Sequence, residues 1–357
     1  MLPSEGWPSA DVRVIRRLVP RAVRHGISAQ LARLRATRLE RDLAALAGGT
    51  ATIVAGPWFG EVGFELLYWA PFLAWFAERF EVTAERLLVV SRGGTRSWYE
   101  PFAAGYREIF DYMTADDYRA RHDERVAASG EQKQRRALAF EHDLLRQLTA
   151  DVHNRAMLHP STMYGLFNAF WWGHVDESWV HRHARYRRLH LPAVADGIVP
   201  SEPYVAVKFY FNDCFPPTDE NRAFVRATLE RLAASGPVVS LTTNLNLDDH
   251  GGIDMRALGV RGLPEHLDAR ENLELQSALV SRASAFVGTY GGFSYLAPFY
   301  GVPSHAYYSD PDGFSRRHLL MARSAFRTIG AGDLLRVEPA TITPDEPRRH
   351  GETEVLR

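Results

Sequence analysis

The segment SAFVGTYGGFSYLAPFYGVPSHAYYS, residues 284–309, contains the pattern that decides the fold. A short apolar run ends at Gly288, the pair Gly291 and Gly292 follows, and a second apolar run leads to Gly301-Val302-Pro303. Apolar runs divided by glycines and closed by Gly and Pro are typical of a strand, a tight loop, a helix and another strand. The pattern therefore predicts an α/β unit built on a parallel sheet, with strands at 285–288 and 304–308 and a helix at 293–300 between them.

The loop between strand and helix has the chemistry of an anion site. Backbone N–H groups at a helix start and the positive end of the helix dipole both favour a negative ligand. Gly291 and Gly292 allow close approach of the backbone, while Thr289 and Ser294 offer hydroxyl donors around Tyr290. We predict that these five residues hold a diphosphate; the alternative is an ordinary strand-to-helix turn, for which the same residues are suitable.

The α/β pattern extends to both sides of this segment. Toward the N-terminus it gives strands at 51–55 and 86–90 around a helix at 64–80, then a mostly helical stretch at 99–189 and a proline-rich linker at 192–203. Beyond the linker, strands at 204–211 and 238–242 alternate with helices at 220–235 and 273–282. We predict an α/β fold of two Rossmann-like domains with an N-terminal helical extension. The predicted units are a basic helical extension at 1–46, a first domain with a helical insertion at 47–197, a second domain at 198–337 and a flexible tail at 338–357.

Composition limits the classes of protein that fit. Of 357 residues, 46% are hydrophobic and 24% are charged, values typical of a soluble globular chain. A net charge of −1 argues against a nucleic-acid binder, and the single cysteine, Cys214, excludes an internal disulfide framework. Neither a signal peptide nor a membrane-spanning run is visible, so we expect a cytoplasmic protein.

The N-terminal extension, residues 1–46, is the segment from which we expect peripheral contact with a membrane. Its helical pattern runs over 11–46, is interrupted near Pro20 and Gly26, and has a polar face rich in arginine. Basic amphipathic helices can lie on anionic bilayers. The alternative is a solvated face on a helix that packs against the body of the protein.

The decisive segment resembles a motif of the ADP-heptosyltransferase-like branch of GT-B glycosyltransferases. The matching residues are Gly288, Thr289, Gly291, Leu296, Ala297 and Gly301-Val302-Pro303. Tyr290 stands where the family has an aspartate, and Ser294 stands where it has a histidine. Protein O-fucosyltransferase-like folds carry a related loop. The resemblance implies a nucleotide-sugar donor in this loop and inversion at the sugar carbon, and it leaves the nucleotide open, a GDP-sugar included.

A second segment, GPWFGEVGFELLYW at residues 56–69, follows the first predicted strand. In the family a Gly-Asp-Val sequence at this place supplies the catalytic base, and Gly60-Glu61-Val62 looks like its glutamate version. Such a base deprotonates the acceptor hydroxyl as it attacks the anomeric carbon. Glu65, one helical turn further, is the competing catalytic carboxylate; alternatively, both acids only stabilise the helix start.

Other polar and aromatic residues lie at predicted strand ends, where ligands gather in α/β sheets. For the donor we select Lys208, Asn212 and Thr243. Lys208 suits a phosphate because lysine is a compact cation and occurs at only two positions in this arginine-rich chain, although it can also extend out of the sheet. For the acceptor we select Trp58, Phe59 and Arg92, whose alternatives are packing and a solvated arginine loop.

We predict neither a metal nor a cofactor. His174, His181, His183 and His190 lie among arginines, which would repel a cation. Asp310-Pro311-Asp312 has the form of a metal-binding motif but follows the last strand that the pattern predicts, so we interpret it as a turn. Motifs of kinases, dehydrogenases, serine hydrolases and zinc proteases are missing from the sequence.

Together these features predict a metal-independent, inverting glycosyltransferase in polysaccharide biosynthesis. It would act on a nucleotide-sugar and a glycan, a lipid-linked saccharide or a small-molecule hydroxyl. A sugar-nucleotide epimerase or pyruvyl transferase on the same fold is one alternative. A non-catalytic protein that binds glycans or a membrane surface is the other.

Overall fold

The structure is a computed structural model and describes residues 21–129, 133–193, 197–245, 247, 251–252 and 260–341. In the part of the chain that it describes, two separate parallel sheets are each covered by helices. The predicted α/β class with two Rossmann-like sheets and an N-terminal helix is therefore confirmed. The described part contains no helix with both the length and the apolar character needed to cross a bilayer.

The first sheet has the strand order β3-β2-β1-β4, with every pairing parallel. Its register places Ile53 beside both Leu87 and Ala156. The strands are β1 (Thr52–Ala55), β2 (Leu87–Ser91), β3 (Gly105–Glu108) and β4 (Arg155–Leu158). The helices are α1 (Arg21–Gly48), α2 (Val62–Phe64), α3 (Ala70–Arg79), α4 (Ala115–Ser129), α5 (Ala139–Leu148), α6 (Ser161–Trp171) and α7 (Glu177–Arg182).

The second sheet has the order β11-β10-β9-β5-β7, again with parallel pairings. Val207 of its middle region lies beside Ser240 and Val287. The strands are β5 (Val205–Lys208), β7 (Val238–Ser240), β9 (Ala285–Thr289), β10 (Ser304–Tyr308) and β11 (Leu335–Pro339), with a small antiparallel pair of β6 (Tyr210–Phe211) and β8 (Gly251–Gly252). The helices are α8 (Asp219–Ser235), α9 (Asn272–Ser281), α10 (Gly292–Tyr300) and α11 (Arg316–Thr328).

The predicted helix at 64–80 is continuous in space but changes its winding. A π-helical turn (Glu65–Trp69) lies between α2 and α3. Every residue of this turn is buried, because its apolar residues pack into the core and the carboxylate of Glu65 has hydrogen-bond partners there. Such π-turns are uncommon and are often found at functional sites.

The structure differs from the predicted organisation in four details. The stretch 99–189, predicted to be mostly helical, also supplies β3 and β4 to the first sheet. Asp310 does not follow the last strand, since α11 and β11 come after it, and Glu338 and Pro339 belong to β11 rather than to a tail. In addition, α1 continues through Gly26 without a break; residues 1–20 and 342–357 lie outside the described residues.

Candidate functional site

The two sheets face each other across a contact between two glycines. A Cβ atom on Gly292, the first residue of α10, would lie 2.6 Å from the backbone nitrogen of Gly63. A Cβ atom on Gly63 would lie 3.0 Å from the Cα atom of Gly292. A side chain at Gly292 would force the backbones apart, and one at Gly63 would make an unusually tight contact. The contact therefore brings the start of α10 against α2, the helix that follows the segment around Glu61.

The two hydroxyls predicted to bind a phosphate have structural partners instead. Thr289 is fully buried; its Oγ1 donates to the carbonyl of Tyr210 at 2.8 Å and accepts from the Tyr210 N–H at 3.0 Å. Ser294 is also fully buried, and its Oγ donates to the carbonyl of Gly291 at 2.7 Å. These hydroxyls shape the loop. The N–H of Ser294 donates to the Gly291 carbonyl and that of Gly291 to Ser294 Oγ, so Gly292 and Phe293 supply the N–H groups that suit an anion.

The remaining loop residues also fix the position of the helix start. Tyr290 is buried, its ring stacks on Phe314 at 4.7 Å between centroids, and its oxygen accepts a hydrogen bond from the Tyr295 hydroxyl at 2.6 Å. Burial raises the pKa of Tyr290. A side chain at Gly291 would collide with the Tyr210 hydroxyl. The phenol of Tyr290 is thus part of the packing, whereas Gly291 and Gly292 stay half-buried.

Lys208 brings a positive charge to the same helix start. It ends β5, and its Nζ lies 3.6 Å from the ring centroid of Phe293, the second residue of α10. The same ammonium group donates to Oε1 of Gln276 at 2.6 Å. Two other residues were predicted to bind the donor substrate. Asn212 donates from Nδ2 to the Tyr290 carbonyl at 3.3 Å. Thr243 is half-buried and lies three residues beyond the end of β7.

Glu61 lies on the opposite side of the glycine contact. It is exposed and has an extended backbone (φ −66°, ψ 151°) as the residue before α2. Its carbonyl accepts from the N–H of Glu65 at 3.0 Å, and its charge contributes to the raised pKa of Tyr164, which burial mainly causes. The carboxylate of Glu61 is therefore at the surface where the first sheet meets α10.

Buried side chains fix the backbone that leads to Glu61. Gln134, fully buried, accepts from the Phe59 N–H at 2.8 Å and donates to the carbonyl of Pro57 at 2.8 Å. Arg92 donates from Nη2 to the carbonyl of Gly60 at 2.7 Å. Three backbone groups of this loop, at Pro57, Phe59 and Gly60, thus have partners within the protein, which hold the backbone before Glu61 in place.

Glu65, the competing carboxylate, is fully buried below this surface. It accepts hydrogen bonds from Ser91 Oγ at 2.6 Å and from the Tyr99 hydroxyl, and its Oε2 lies 3.6 Å from Nη1 of Arg92. Burial raises the pKa of Glu65, although the charge of Arg92 opposes the shift. The structure thus separates the two carboxylates: Glu61 can meet a ligand, and Glu65 supports Arg92.

The residues selected for an acceptor are in the interior. Trp58 is fully buried and stacks on Trp69, with 5.8 Å between ring centroids. Phe59 stacks on Tyr118 at 4.9 Å, and Arg92 donates from Nε to the Tyr118 hydroxyl at 2.7 Å. None of Trp58, Phe59 and Arg92 presents an open face to a sugar in this structure.

The sequence analysis did not select two residues that border the glycine contact. Lys133 lies with Nζ 5.1 Å from the ring centroid of Phe64, the residue after Gly63. His318 of α11 contacts the same ring at 4.8 Å and pairs through Nδ1 with the Tyr68 hydroxyl at 2.7 Å. Burial and the charge of Lys133 lower the pKa of His318 to about 3, so this imidazole is neutral at physiological pH. The rarity of lysine was the one signal in the sequence that pointed to Lys133.

The two lysines of the chain therefore occupy equivalent places on either side of the contact. Lys133 lies on Phe64, which follows Gly63, and Lys208 lies on Phe293, which follows Gly292. Each ammonium group gains cation–π stabilisation from a ring beside the interface. The resulting surface combines two cations, one exposed carboxylate and a helix start.

Comparisons with known proteins give structural likeness only. No family model and no curated protein matches the sequence. Among solved structures, the chain is similar to an ADP-heptose LPS heptosyltransferase II from E. coli (14% identity, TM-score 0.42, covering 82% of this chain and 91% of that one). It is also similar to a family 9 glycosyl transferase from Veillonella parvula DSM 2008 (11%, 0.42, 80% and 85%) and to the E. coli heptosyltransferase WaaC (13%, 0.38, 74% and 90%). At this level of similarity, a function has to be argued from the site itself.

Proposed function

We propose that this protein is a glycosyltransferase that moves a sugar from a nucleotide-sugar to an acceptor hydroxyl, with inversion and without a metal ion. The observation that carries the proposal is the contact of Gly63 with Gly292. It joins an exposed carboxylate, Glu61, to a helix start and a lysine, Lys208, which together suit a diphosphate. Base and leaving-group site are thus on opposite sides of one interface.

In the proposed reaction the carboxylate of Glu61 takes the proton of the acceptor hydroxyl. The oxygen attacks the anomeric carbon, and the bond from that carbon to the donor diphosphate breaks. The electron pair leaves with the nucleoside diphosphate, whose added charge is stabilised by the N–H groups of α10 and by Lys208. Electrostatic stabilisation of this kind is usually the largest contribution to catalysis.

The sequence resemblance to the ADP-heptosyltransferase-like branch supports the same assignment and leaves the nucleotide of the donor open. For the acceptor, we propose a glycan, a lipid-linked saccharide or a small-molecule hydroxyl. The ordered loop at Glu61 supports catalysis rather than binding alone, because a base has to be held in place to act.

A direct test is the release of nucleoside diphosphate from a panel of UDP-, GDP-, ADP- and dTDP-sugars, with and without acceptor mixtures from a polysaccharide-producing cell. We expect release from one nucleotide class that rises when acceptor is added. Conversion of the sugar without release would indicate an epimerase, and transfer of another group would indicate a transferase such as a pyruvyl transferase. If no nucleotide or nucleotide-sugar binds at all, the proposal is wrong.

A further inference from the structure

A cleft separate from the glycine contact is lined by arginines from three helices. It has a volume of about 570 Å³ and lies between α1, α7, α11 and the loop at 173–176. Arg33 comes from α1, Arg182 from α7 and Arg317 from α11. A neighbouring cleft of about 390 Å³ shares Arg33 and Arg182 and adds Arg79 and Arg185.

Two of these guanidinium groups are held on aromatic rings. Arg182 lies 4.9 Å from the ring centroid of Trp179, and Arg317 lies 5.9 Å from that of Phe170. Gly173 adopts φ +74°, and a Cβ atom there would collide with Arg317. Stacking fixes a guanidinium plane while its N–H groups remain at the edge, where a phosphate can accept them.

Carboxylates only partly balance this charge. Among the ion pairs formed between described residues, none includes Arg33, Arg182 or Arg317. Asp176, which lines the cleft, accepts hydrogen bonds from the backbone N–H and the Oγ of Ser178 as the residue before α7. Its pKa is lowered chiefly by Ser178, with Arg182 a smaller cause. Asp176 is thus engaged in capping a helix. Glu177 also lines the cleft, so the three arginines outnumber its two carboxylates and suit an anion from outside.

The helix that supplies Arg33 also exposes an apolar stripe. Ile27, Leu31 and Leu34 follow one another at helical spacing and are 51%, 49% and 63% exposed. Ala36 and Leu43 lie on the opposite side of α1 and are buried against the protein. From 21 to 39 the sequence has five arginines and no acidic residue. A helix with an apolar stripe among arginines is complementary to the surface of an anionic bilayer.

We propose that the arginine cleft binds the phosphate of an anionic membrane lipid while the stripe of α1 enters the bilayer interface. The cleft and the stripe are separate observations on one helix, and both favour the same occupant. This binding does not depend on the proposed glycosyl transfer, and it gives the protein a defined face toward the membrane.

The test is co-sedimentation of the full chain with vesicles of phosphatidylcholine alone or of equal parts phosphatidylcholine and phosphatidylglycerol. We expect binding only to the anionic vesicles, weakened by salt because the surface attraction is screened. Removing each arginine (Arg33→Gln, Arg182→Gln, Arg317→Gln) should weaken binding about fivefold. The pair Leu31→Ser with Leu34→Ser should also weaken binding. Arg226→Gln, on the exposed face of α8, is the matched control and should bind like the unsubstituted chain.

Two further measurements keep the proposal falsifiable. Hydrogen exchange on the unsubstituted chain should show protection at 27–34 and 173–178 when anionic vesicles are added, and protection elsewhere alone would overturn the proposal. Calorimetry with glycerol phosphate detects a soluble ligand. If glycerol phosphate binds, the arginine variants lose this binding, and no vesicles are bound, the occupant is a soluble phosphate and the lipid assignment is wrong. The lipid assignment is also wrong if the arginine variants still bind vesicles.

Discussion

The backbones of Gly292 and Gly63 are so close that a Cβ atom on Gly292 would lie 2.6 Å from the Gly63 nitrogen and one on Gly63 would lie 3.0 Å from the Gly292 Cα atom. Gly292 is the first residue of α10, which follows β9 of the second sheet, and Gly63 lies in α2, which follows β1 of the first sheet. The contact brings two oppositely charged residues to one surface. Lys208 lies on the side of Gly292, and Glu61 lies on the side of Gly63. The predictions below change one part of this arrangement at a time.

Gly292→Ala should destabilise the protein and lower its activity. The added methyl would meet Gly63 at 2.6 Å, and a backbone neighbour cannot rotate away. Overpacking of this kind costs about 1–3 kcal/mol. Denaturant unfolding measures the loss. Gly48→Ala, at a site where a Cβ would meet nothing within 4 Å, is the control and should be neutral or stabilising. Equal stability of both variants would mean that the contact does not form in solution.

Glu61→Gln should abolish most of the turnover while leaving folding intact. General bases contribute about 10²- to 10⁴-fold to rate, and Glu61 is exposed, so its charge contributes little to stability. Initial rates with saturating donor and a thermal melt separate the two effects. Glu230→Gln, also exposed, controls for the loss of one surface charge. A Glu61→Gln enzyme with normal kcat would remove Glu61 from the mechanism.

Glu65→Gln should change the pH dependence of stability. Burial raises the pKa of Glu65 above its ordinary 4.5, so the folded state holds a proton that the unfolded state has already released. Folding therefore loses free energy as pH rises from about that value to the raised pKa, by at most about 1.4 kcal/mol per pH unit. The variant lacks this loss. Urea unfolding measures the free energy of unfolding of both proteins from pH 4 upward. As the pH rises, the variant should gain stability relative to the native protein. If the two curves run parallel, the pKa of Glu65 is not raised in the folded state.

The sequence predicted the second sheet better than the site. The strand that ends at Thr289 and the next strand at 304–308 were predicted to within a residue, because glycine and proline interrupt long apolar runs there. By contrast, β3 and β4 are four residues each with mixed polarity, GYRE and RAML, so neither has a periodic pattern. Their place in the sheet depends on pairing with distant strands, which local sequence does not encode.

Roles within the site depended on partners that only the fold supplies. Thr289 and Ser294 have hydroxyls suited to phosphate, yet Tyr210 and Gly291 use them. Glu61 and Glu65 are equal in chemistry and one turn apart. The π-helical turn that starts at Glu65 directs that residue to the interior, while Glu61 stays before the helix. A sequence pattern could place both acids near a site but not assign them different environments.

Lys208→Ala should weaken nucleotide binding about tenfold or more, because a charge-assisted hydrogen bond to phosphate contributes roughly 1.5–3 kcal/mol. Lys133→Ala is the matched control, since it also removes a lysine from a phenylalanine ring at the same contact. Calorimetry with the nucleoside diphosphate of the active donor should show the loss for Lys208 alone. An equal loss in both variants would indicate a general charge effect rather than a phosphate contact at Lys208.

Gln134→Leu should impair turnover although Gln134 lies in the interior and cannot touch substrate. The amide is the partner of both the Phe59 N–H and the Pro57 carbonyl, and it also donates to Oε1 of Glu141 at 2.6 Å. Leucine has similar size but leaves these buried groups unpaired, at about 1–3 kcal/mol for each group. The loop before Glu61 then loses its order, so kcat should fall more than KM rises, and amide exchange at 57–61 should accelerate. Gln134→Glu retains an acceptor for Phe59 but loses the donor for Pro57 and sets a second carboxylate against Glu141, so its kcat should fall at least as far as that of Gln134→Leu. If kcat is unchanged in both variants while stability falls, the loop does not need this clamp for catalysis, and the role of Gln134 is limited to folding.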